Sequence, residues 1–531
     1  MSHDVVRKED GAAPPGDSSD LAGDLGFVDI QEIRRIFGGF SLPTAGATFS
    51  GLLAGCPTEP DPDPDPDPDP APDPETSRPP ALPENLRRLV ARTTFGINQE
   101  EAQRALDLGY DGYLEYQLDH DTIDDSALEA RLASLRTLND TPRERLDAAE
   151  RNDFSSAQEF LIATVLRGVY SKRQLYERMV EFWSDHFNIY LQSEAQLILK
   201  PLDDAEAIRP FALSSFPEIL RGSARSPSML VYLDNASSVV GAPNENYARE
   251  LMELHTVGVD QFSQQDVKEV ARVLTGWSIN LDLDSADFGR FLYYPEIHDW
   301  GEKSVLGRRF AAGRGIEEGE ELLQLLSTDP EIAQRTAAFI GRKLALRFWG
   351  YEPPDALVEE IAAAYLDTDG DIKSMLRVVL REGWLMQAAP RMKRPYHYAL
   401  SSLRAIPSEL KGFEVFGELL RLMEHLPFHW APPNGYPDSL EYWGNYLMPR
   451  WTYGVWLLYQ QGDVELELQP YLAAETDEDF LDEIEARIFH HQRPAEHREA
   501  LAAFLASAPE NIFRRVEALS MAIASADFQW Y

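Results

Sequence analysis

The sequence predicts an all-α fold, a large multi-helix domain that follows a disordered N-terminal stalk. Two observations indicate this class. From Pro83 onward, apolar residues recur at the i, i+3, i+4, i+7 spacing of helices that bury one face, whereas convincing alternating runs rich in β-branched residues are nearly absent. With 531 residues, of which 44% are hydrophobic, the chain is also long and apolar enough to fill two or three cores.

The composition excludes several functions. The chain has 49 Lys+Arg against 89 Asp+Glu, a net charge of −40, and so lacks the basic footprint that binding to nucleic acid or to anionic lipid requires. We therefore expect no nucleic-acid partner. The single cysteine, Cys56, excludes Cys-ligated zinc, iron–sulfur clusters and intramolecular disulfides.

The N-terminal region, residues 1–55, has the features of an export signal. Residues 36–55 carry no charge, the paired Arg34 and Arg35 stand just before them, and Leu53-Ala54-Gly55-Cys56 ends the run. A basic segment, an uncharged stretch and small residues at a cut site are typical of secretory signals, and paired arginines indicate the twin-arginine route. The last four residues resemble a bacterial lipobox. We therefore expect lipidation of Cys56, which would anchor the exported protein to a membrane of the cell envelope, in the periplasm or on the outer surface.

Residues 56–83 are predicted to form the stalk. Asp-Pro repeats fill residues 61–70, and because proline fixes φ and the aspartates repel one another, the segment favours an extended spacer. Removing residues 1–55, with eight acids and four bases, changes the charge from −40 to −36. Removing residues 56–83, with eight acids and one base, leaves −29 for the helical domain, residues 84–531. That domain is therefore itself acidic.

Helical periodicity is clearest in nine stretches of the domain. They are residues 99–118, 155–190, 245–257, 264–277, 329–349, 355–366, 372–382, 451–461 and 494–506. Two short segments, residues 291–294 and 304–310, predict a minor β-hairpin around a loop. The pattern also allows two lobes that meet near residues 285–330.

Eight islands of sequence, in order, resemble one bacterial family. They are residues 89–96 (LVARTTFG), 179–187 (MVEFWSDHF), 229–235 (MLVYLDN), 244–258 (NENYARELMELHTVG), 264–277 (QQDVKEVARVLTGW), 298–307 (HDWGEKSVLG), 342–348 (RKLALRF) and 427–438 (PFHWAPPNGYPD). The family is known as domain of unknown function 1800, and the resemblance covers nearly all of residues 85–460.

The resemblance implies export and leaves the chemistry open, because no activity is settled for the family. It also implies a possible neighbour, an exported protein resembling sulfatases and phosphatases, as a partner. Two departures from the family pattern occur. The family usually has Asn where this chain has Asp185, and Arg-Pro-Pro where it has Trp430-Ala431-Pro432.

The helix predicted over 245–257 carries two candidate metal ligands. Glu250 and Glu253 share one face, as the carboxylates of a helical metal site do. His255 lies about 200° from Glu253 around a straight helix, so only unwinding before Gly258 brings it inward. The alternative is an ion-paired helix in which Arg249 neutralises Glu253.

Two histidines complete the candidate set. His186 lies among aromatic residues, where it is either a metal ligand or a hydrogen-bonded core residue. His298 and Asp299 belong to a predicted loop with Lys303, and loops concentrate functional residues. The alternative for this loop is a turn in which Asp299 binds its own backbone.

Several catalytic motifs are absent from the sequence. It contains no Gly-x-Ser-x-Gly elbow, no Walker loop and no His-Glu-x-x-His. Serine hydrolases built on that elbow, P-loop NTPases and zincins are therefore excluded.

The leading hypothesis is a metal-dependent hydrolase that acts outside the cytoplasm. A divalent ion would be held by oxygen and imidazole ligands, with His255 and Lys303 as catalytic residues. The predicted ligands are His186, Glu250, Glu253, His298 and Asp299. This hypothesis requires these residues to converge in one pocket.

Two alternatives stay open. A non-catalytic binding or assembly scaffold for an exported partner would place the same residues in separate ion pairs, beside an exposed apolar patch near residues 428–436. A metal-dependent oxidoreductase would use the ligands of the leading hypothesis.

The lipoprotein prediction can be tested with Cys56→Ser. Because the serine hydroxyl replaces the thiol that would carry the lipid, we expect the variant to leave the membrane pellet and appear in the soluble fraction. Fractionation by ultracentrifugation and immunoblotting measures this. Unchanged membrane attachment of the variant would contradict the prediction.

Overall fold

The computed structural model describes residues 78–191, 193–459, 462–508 and 513–531. Residues 1–55 with Arg34 and Arg35, the lipidation site Cys56 and most of the predicted stalk lie outside the described residues. Within the described part the all-α prediction is confirmed, since helices dominate and the strands form three small two-stranded sheets. None of the described helices combines the length and apolar character needed to cross a bilayer.

The first half of the domain contains twelve described α-helices. They are α1 (Glu84–Thr93), α2 (Gln99–Leu118), α3 (Ser126–Leu132), α4 (Pro142–Glu150), α5 (Ser155–Tyr170), α6 (Gln174–His186), α7 (Glu194–Asp203), α8 (Phe216–Ala224), α9 (Pro227–Tyr232), α10 (Glu245–Glu250), α11 (Gln264–Val273) and α12 (Ile316–Thr328). Asp204–Ile208 and Leu251–His255 are π-helical turns.

The second half of the domain contains the remaining described α-helices. They are α13 (Ala333–Phe348), α14 (Asp355–Asp367), α15 (Ile372–Val379), α16 (Glu382–Leu385), α17 (Pro395–Ala405), α18 (Glu414–Leu422), α19 (Leu440–Trp443), α20 (Leu447–Tyr459), α21 (Gln469–Leu472), α22 (Asp477–Ile484), α23 (Ala495–Ala506), α24 (Arg514–Ala524) and α25 (Ala526–Gln529).

The strands pair locally and antiparallel. β1 (Trp277–Ile279) pairs with β2 (Phe291–Tyr293), β3 (Lys303–Val305) with β4 (Arg308–Phe310), and β5 (Ser408–Leu410) with β6 (Val464–Leu466). The predicted hairpin segments therefore belong to two separate hairpins. β3 and β4 close on each other because Leu306 and Gly307 both have positive φ, 49° and 80°, as a two-residue hairpin turn requires.

The predicted stretch 155–190 is two helices, α5 and α6. The chain turns at Ser171 and Lys172, where the carboxylate of Asp125 accepts hydrogen bonds from the Ser171 hydroxyl at 2.6 Å and from the Lys172 amide at 2.8 Å. The buried carboxylate of Asp125 therefore marks the end of α5, although the apolar periodicity of the sequence continues without a break into α6.

Two hydrophobic cores organise the domain. The first core is built mainly from residues 82–388, and the second from residues 396–528 together with helix α5. The cores change over between Ala388 and Tyr396 and not near residues 285–330, because Trp277, Val305 and Phe310 of the first two hairpins are buried in the first core. The short segment 389–395 therefore carries the chain from one core to the other.

Candidate functional site

The predicted loop around His298 is buried and fully engaged. The His298 Nδ1 lies 2.8 Å from the carbonyl oxygen of Thr275, and its Nε2 lies 3.1 Å from that of Arg314. The side chain is also 3.6 Å from a carboxylate oxygen of Glu318. The Thr275 hydroxyl also lies 3.2 Å from Nδ1. Both ring nitrogens therefore face oxygen atoms of the protein, and neither is directed at an open site.

Asp299 and Lys303 are held by ion pairs on either side of this histidine. Arg272 Nε donates to Asp299 at 2.7 Å, and this bond keeps the pKa of Asp299 below its usual range. Asp299 also accepts a hydrogen bond from the Gly301 amide at 2.8 Å. This is the turn in which Asp299 binds its own backbone, the alternative to a functional loop. Lys303 Nζ lies 2.6 Å from Glu318, and both side chains are fully buried.

His186 and His255 share a second buried location. Lys343 Nζ donates to His186 Nδ1 at 2.8 Å, and His186 Nε2 donates to the His255 carbonyl at 3.0 Å. Their ring centroids are 6.0 Å apart. The π-helical turn Leu251–His255 supplies the unwinding that brings His255 inward. Burial, reinforced by Lys343, lowers the pKa of His255 to about 3, so this imidazole is neutral.

Glu250 and Glu253 are half-buried on the outer side of the same segment. Burial and the neighbouring Glu253 raise the pKa of Glu250. Arg249 lies 4.0 Å from Glu245 and donates to Gln264 at 2.7 Å, in place of the pair with Glu253 that the sequence allowed.

The predicted residues thus occupy three different surroundings. His298 and Lys303 contact Glu318, and Asp299, next to His298 in the chain, pairs with Arg272. His186 and His255 lie beside Lys343. Glu250 and Glu253 are half-buried. Among the described residues, no group of three or more His, Cys, Asp or Glu side chains is placed to hold a metal ion.

A buried network of charges lies where the two cores meet. It contains four guanidinium groups and three carboxylates, those of Arg178, Arg347, Arg391, Arg394, Glu181, Asp185 and Asp438. Each of these arginine side chains is at most 4% exposed. We call this set the arginine network.

Arg347 and Arg394 hold the network together. Arg347 reaches Glu181 at 3.0 Å and Asp185 at 2.7 Å. Arg394 pairs with the same oxygen of Asp185 and lies 2.8 Å from Asp438, which also pairs with Arg391. The two arginines therefore tie α6 and α13 of the first core to the loop that carries Asp438 in the second.

The arginines control the protonation of the buried acids. Burial alone would raise the pKa of Glu181, but Arg347, Arg178 and Arg394 outweigh it and hold that pKa below its usual range. The pKa of Asp438 is likewise held well below normal, because Arg391, Arg394 and Arg347 outweigh its burial. Glu181 and Asp438 are therefore ionised, and the network contains four guanidinium groups against three carboxyl side chains.

Three of the family-like islands meet in this network. Residues 179–187 supply Glu181 and Asp185, residues 342–348 supply Arg347, and residues 427–438 supply Asp438. Sequence reasoning did not single out these residues as a site. One signal was available: Arg391-Met392-Lys393-Arg394 is the densest basic run in an acidic chain.

A small cavity of about 40 Å³ adjoins the network between the two cores. Its walls are aromatic on one side, with Phe95, Tyr396 and Phe428, and polar on the other. On the polar side, Ser184 Oγ and Asp204 Oδ1 have no hydrogen-bond partner among the described residues. The cavity therefore combines apolar walls with two polar atoms that have no partner among the described residues.

Helix α20 presents an exposed apolar face in the second core. Five residues on one stripe of this helix are at least 40% exposed: Leu447, Met448, Trp451, Val455 and Tyr459. The predicted patch near residues 428–436 is different, because Phe428 and Tyr436 are buried. We call the stripe on α20 the apolar face.

These features define a two-core helical protein whose sequence islands meet at a buried arginine network. The family model described as "Protein of unknown function (DUF1800)" matches residues 88–530, so the chain belongs to this family. Searches of the curated proteins and of the solved structures found no match.

The arginine network can be tested with Asp438→Asn. The change removes one carboxylate and leaves Arg391 and Arg394 short of a buried partner, so we expect the free energy of unfolding to fall by about 3–5 kcal/mol. Urea unfolding measures this loss. Glu115→Gln, which breaks a 2.8 Å pair with the exposed Arg377, is the matched control and should cost at most about 1 kcal/mol. Equal losses for the two variants would show that the network carries no special weight.

Proposed function

We propose that this protein is an exported, lipid-anchored binding or assembly protein that docks a partner protein on the apolar face. The observation that carries this proposal is the exposed apolar stripe from Leu447 to Tyr459 on α20. The separate ion pairs of Asp299 and Lys303 support it as well, because a scaffold would hold these residues in the way the structure does.

The chemistry of the apolar face suits a protein interface. The only charged residue of α20, Arg450, is buried, so within the described helix no charge reaches solvent. Trp, Tyr and Met are the residue types enriched at the centre of interfaces. A contiguous exposed patch of this kind is uncommon on a surface that contacts only water.

The charges near the apolar face favour a protein over a lipid surface. Glu517 interacts with the hydroxyl of Tyr459 at one end of α20, and Glu441 precedes the other end. With a net charge of −29 for residues 84–531, the domain is repelled by anionic lipid headgroups. The fitting partner therefore presents an apolar patch with a basic rim.

The family resemblance supplies one candidate partner, the exported sulfatase-like protein. It is the occupant to which the proposal commits, with a membrane surface as the competing outcome. A metal-dependent hydrolase or oxidoreductase has less support, because the five predicted metal ligands occupy different surroundings among the described residues.

The proposal predicts that Trp451→Glu abolishes docking. A glutamate at the centre of the apolar face places an unpaired charge in the interface, and we expect the affinity for the sulfatase-like partner to fall at least tenfold, about 1.4 kcal/mol or more. Co-purification of the full-length protein with the tagged partner, followed by titration, measures this.

Val259→Glu is the matched control, because Val259 is 58% exposed but lies outside α20. It should leave the affinity unchanged. The proposal would be overturned if the unaltered protein bound neutral vesicles but not the partner, and if Trp451→Glu lost the binding to vesicles. These results would assign the apolar face to a membrane.

A further inference from the structure

A second cavity, of about 50 Å³, lies along the segment that links the cores. Lys393, His397 and Ser401 line it, beside the aromatic rings of Phe528 and Tyr531. Lys393 Nζ donates to Ser401 Oγ at 3.0 Å, and the Ser401 hydroxyl donates to the Tyr398 carbonyl at 3.2 Å. Lys393 and Ser401 are 8% and 1% exposed. A lysine amine and a serine hydroxyl thus form a buried hydrogen-bonded pair on the wall of a cavity.

His397 adds a hydrogen-bond donor to the same wall. It precedes Ser401 by four residues on α17, so the two side chains share one face of the helix. Its Nδ1 lies 3.4 Å from Arg178 Nη1, and because a guanidinium only donates, Nδ1 must accept. Burial lowers the pKa of His397 well below normal, so the ring is neutral and Nε2 carries the hydrogen. This Nε2 has no partner among the described residues.

We propose that Ser401 and Lys393 are the nucleophile and general base of a metal-independent site that hydrolyses small carboxylic esters. The arrangement has the parts that serine–lysine hydrolases need, which are a nucleophile within hydrogen-bond distance of an amine and a donor for the carbonyl oxygen. It rests on observations separate from the docking proposal, and either can fail alone.

The reaction balances with water as the co-reactant. Ser401 Oγ attacks the ester carbonyl carbon while Lys393 takes the hydroxyl proton, and His397 Nε2–H donates to the developing oxyanion. The tetrahedral intermediate collapses with cleavage of the ester C–O bond, and the Lys393 ammonium protonates the departing alcohol. A water molecule then attacks the acyl-serine as Lys393 takes its proton, which releases the carboxylic acid and restores Ser401.

The surroundings of Lys393 keep its amine available as a base. Burial, reinforced by Arg450, lowers the pKa of Lys393 to about 7. The other titratable side chains of the cavity are Arg87, His397, His491, Asp527 and Tyr531, and Asp527 is paired with Arg493 at 2.9 Å. Because the base works in its neutral form, activity should rise as the pH passes upward through about 7.

Covalent labelling of the full-length protein with a fluorophosphonate tests the proposal. Ser401 Oγ would displace fluoride from phosphorus, and we expect one adduct, located on Ser401 by peptide mass spectrometry. Its rate should increase with pH as Lys393 loses its proton, and a metal chelator should leave it unchanged. Hydrolysis of p-nitrophenyl acetate should follow the same pH profile.

Two variants identify the roles of the pair. Ser401→Ala should lose the adduct, whereas Ser402→Ala, a buried neighbour whose hydroxyl contacts Tyr453, should keep it. Lys393→Arg retains the charge but not a usable base, so labelling should slow at least about 100-fold.

Three results would overturn the proposal. They are the absence of an adduct on Ser401 of the unaltered protein between about pH 6 and pH 9, a labelling rate that is flat across this range, and a rate that Lys393→Arg does not change. The first two use the unaltered protein and decide the question even if a variant fails to fold.

Discussion

Four buried arginines pair with three carboxylates that are at most 18% exposed where the two cores meet, and the arrangement of the domain depends on this pairing. A buried charge without a partner costs several kcal/mol, so each carboxylate fixes the arginines that surround it. Arg347 requires the end of α6 beside α13, and Arg394 requires Asp438 beside the linking segment. Moving either core would leave guanidinium groups unpaired. The free-energy cost of unpaired buried charges therefore keeps the family-like islands in their relative positions.

The linking segment faces two ways, which places both cavities next to the network. Arg391 and Arg394 point to Asp438, whereas Lys393, between them, points to Ser401. Gly96 shows how closely the chain packs here, because a Cβ on it would lie 2.6 Å from the Ser401 backbone. The ion pairs of Arg391 and Arg394 thus position the amine of Lys393 without contacting it. Residues 391–394 therefore contact the arginine network on one side and line the proposed catalytic site on the other.

The fold class could be predicted from periodicity, because a helix that buries one face has apolar residues at regular, short spacings in the sequence. A helix end that depends on a residue far away in the sequence leaves no such pattern. The end of α5, where Asp125 accepts a hydrogen bond from Ser171, could therefore not be predicted. The site was harder for the same reason. His298 and Lys303 looked reactive in a loop, yet Glu318, fifteen residues beyond Lys303, neutralises the lysine inside the first core. Lys393 and Ser401 lack any motif spacing, and only folding brings Nζ within 3.0 Å of Oγ.

The net charge of the chain is strongly negative, whereas the arginine network contains one more basic than acidic side chain. Outside, −29 over residues 84–531 selects partners with basic rims. Inside, four arginines face three carboxylates, and Asp185 is the acid for which the family usually has an asparagine. With asparagine the positive excess would grow from one to two. Asp185 therefore limits the excess of positive charge in the arginine network. Nearby, burial and the neighbouring Arg450 favour the neutral form of Lys393.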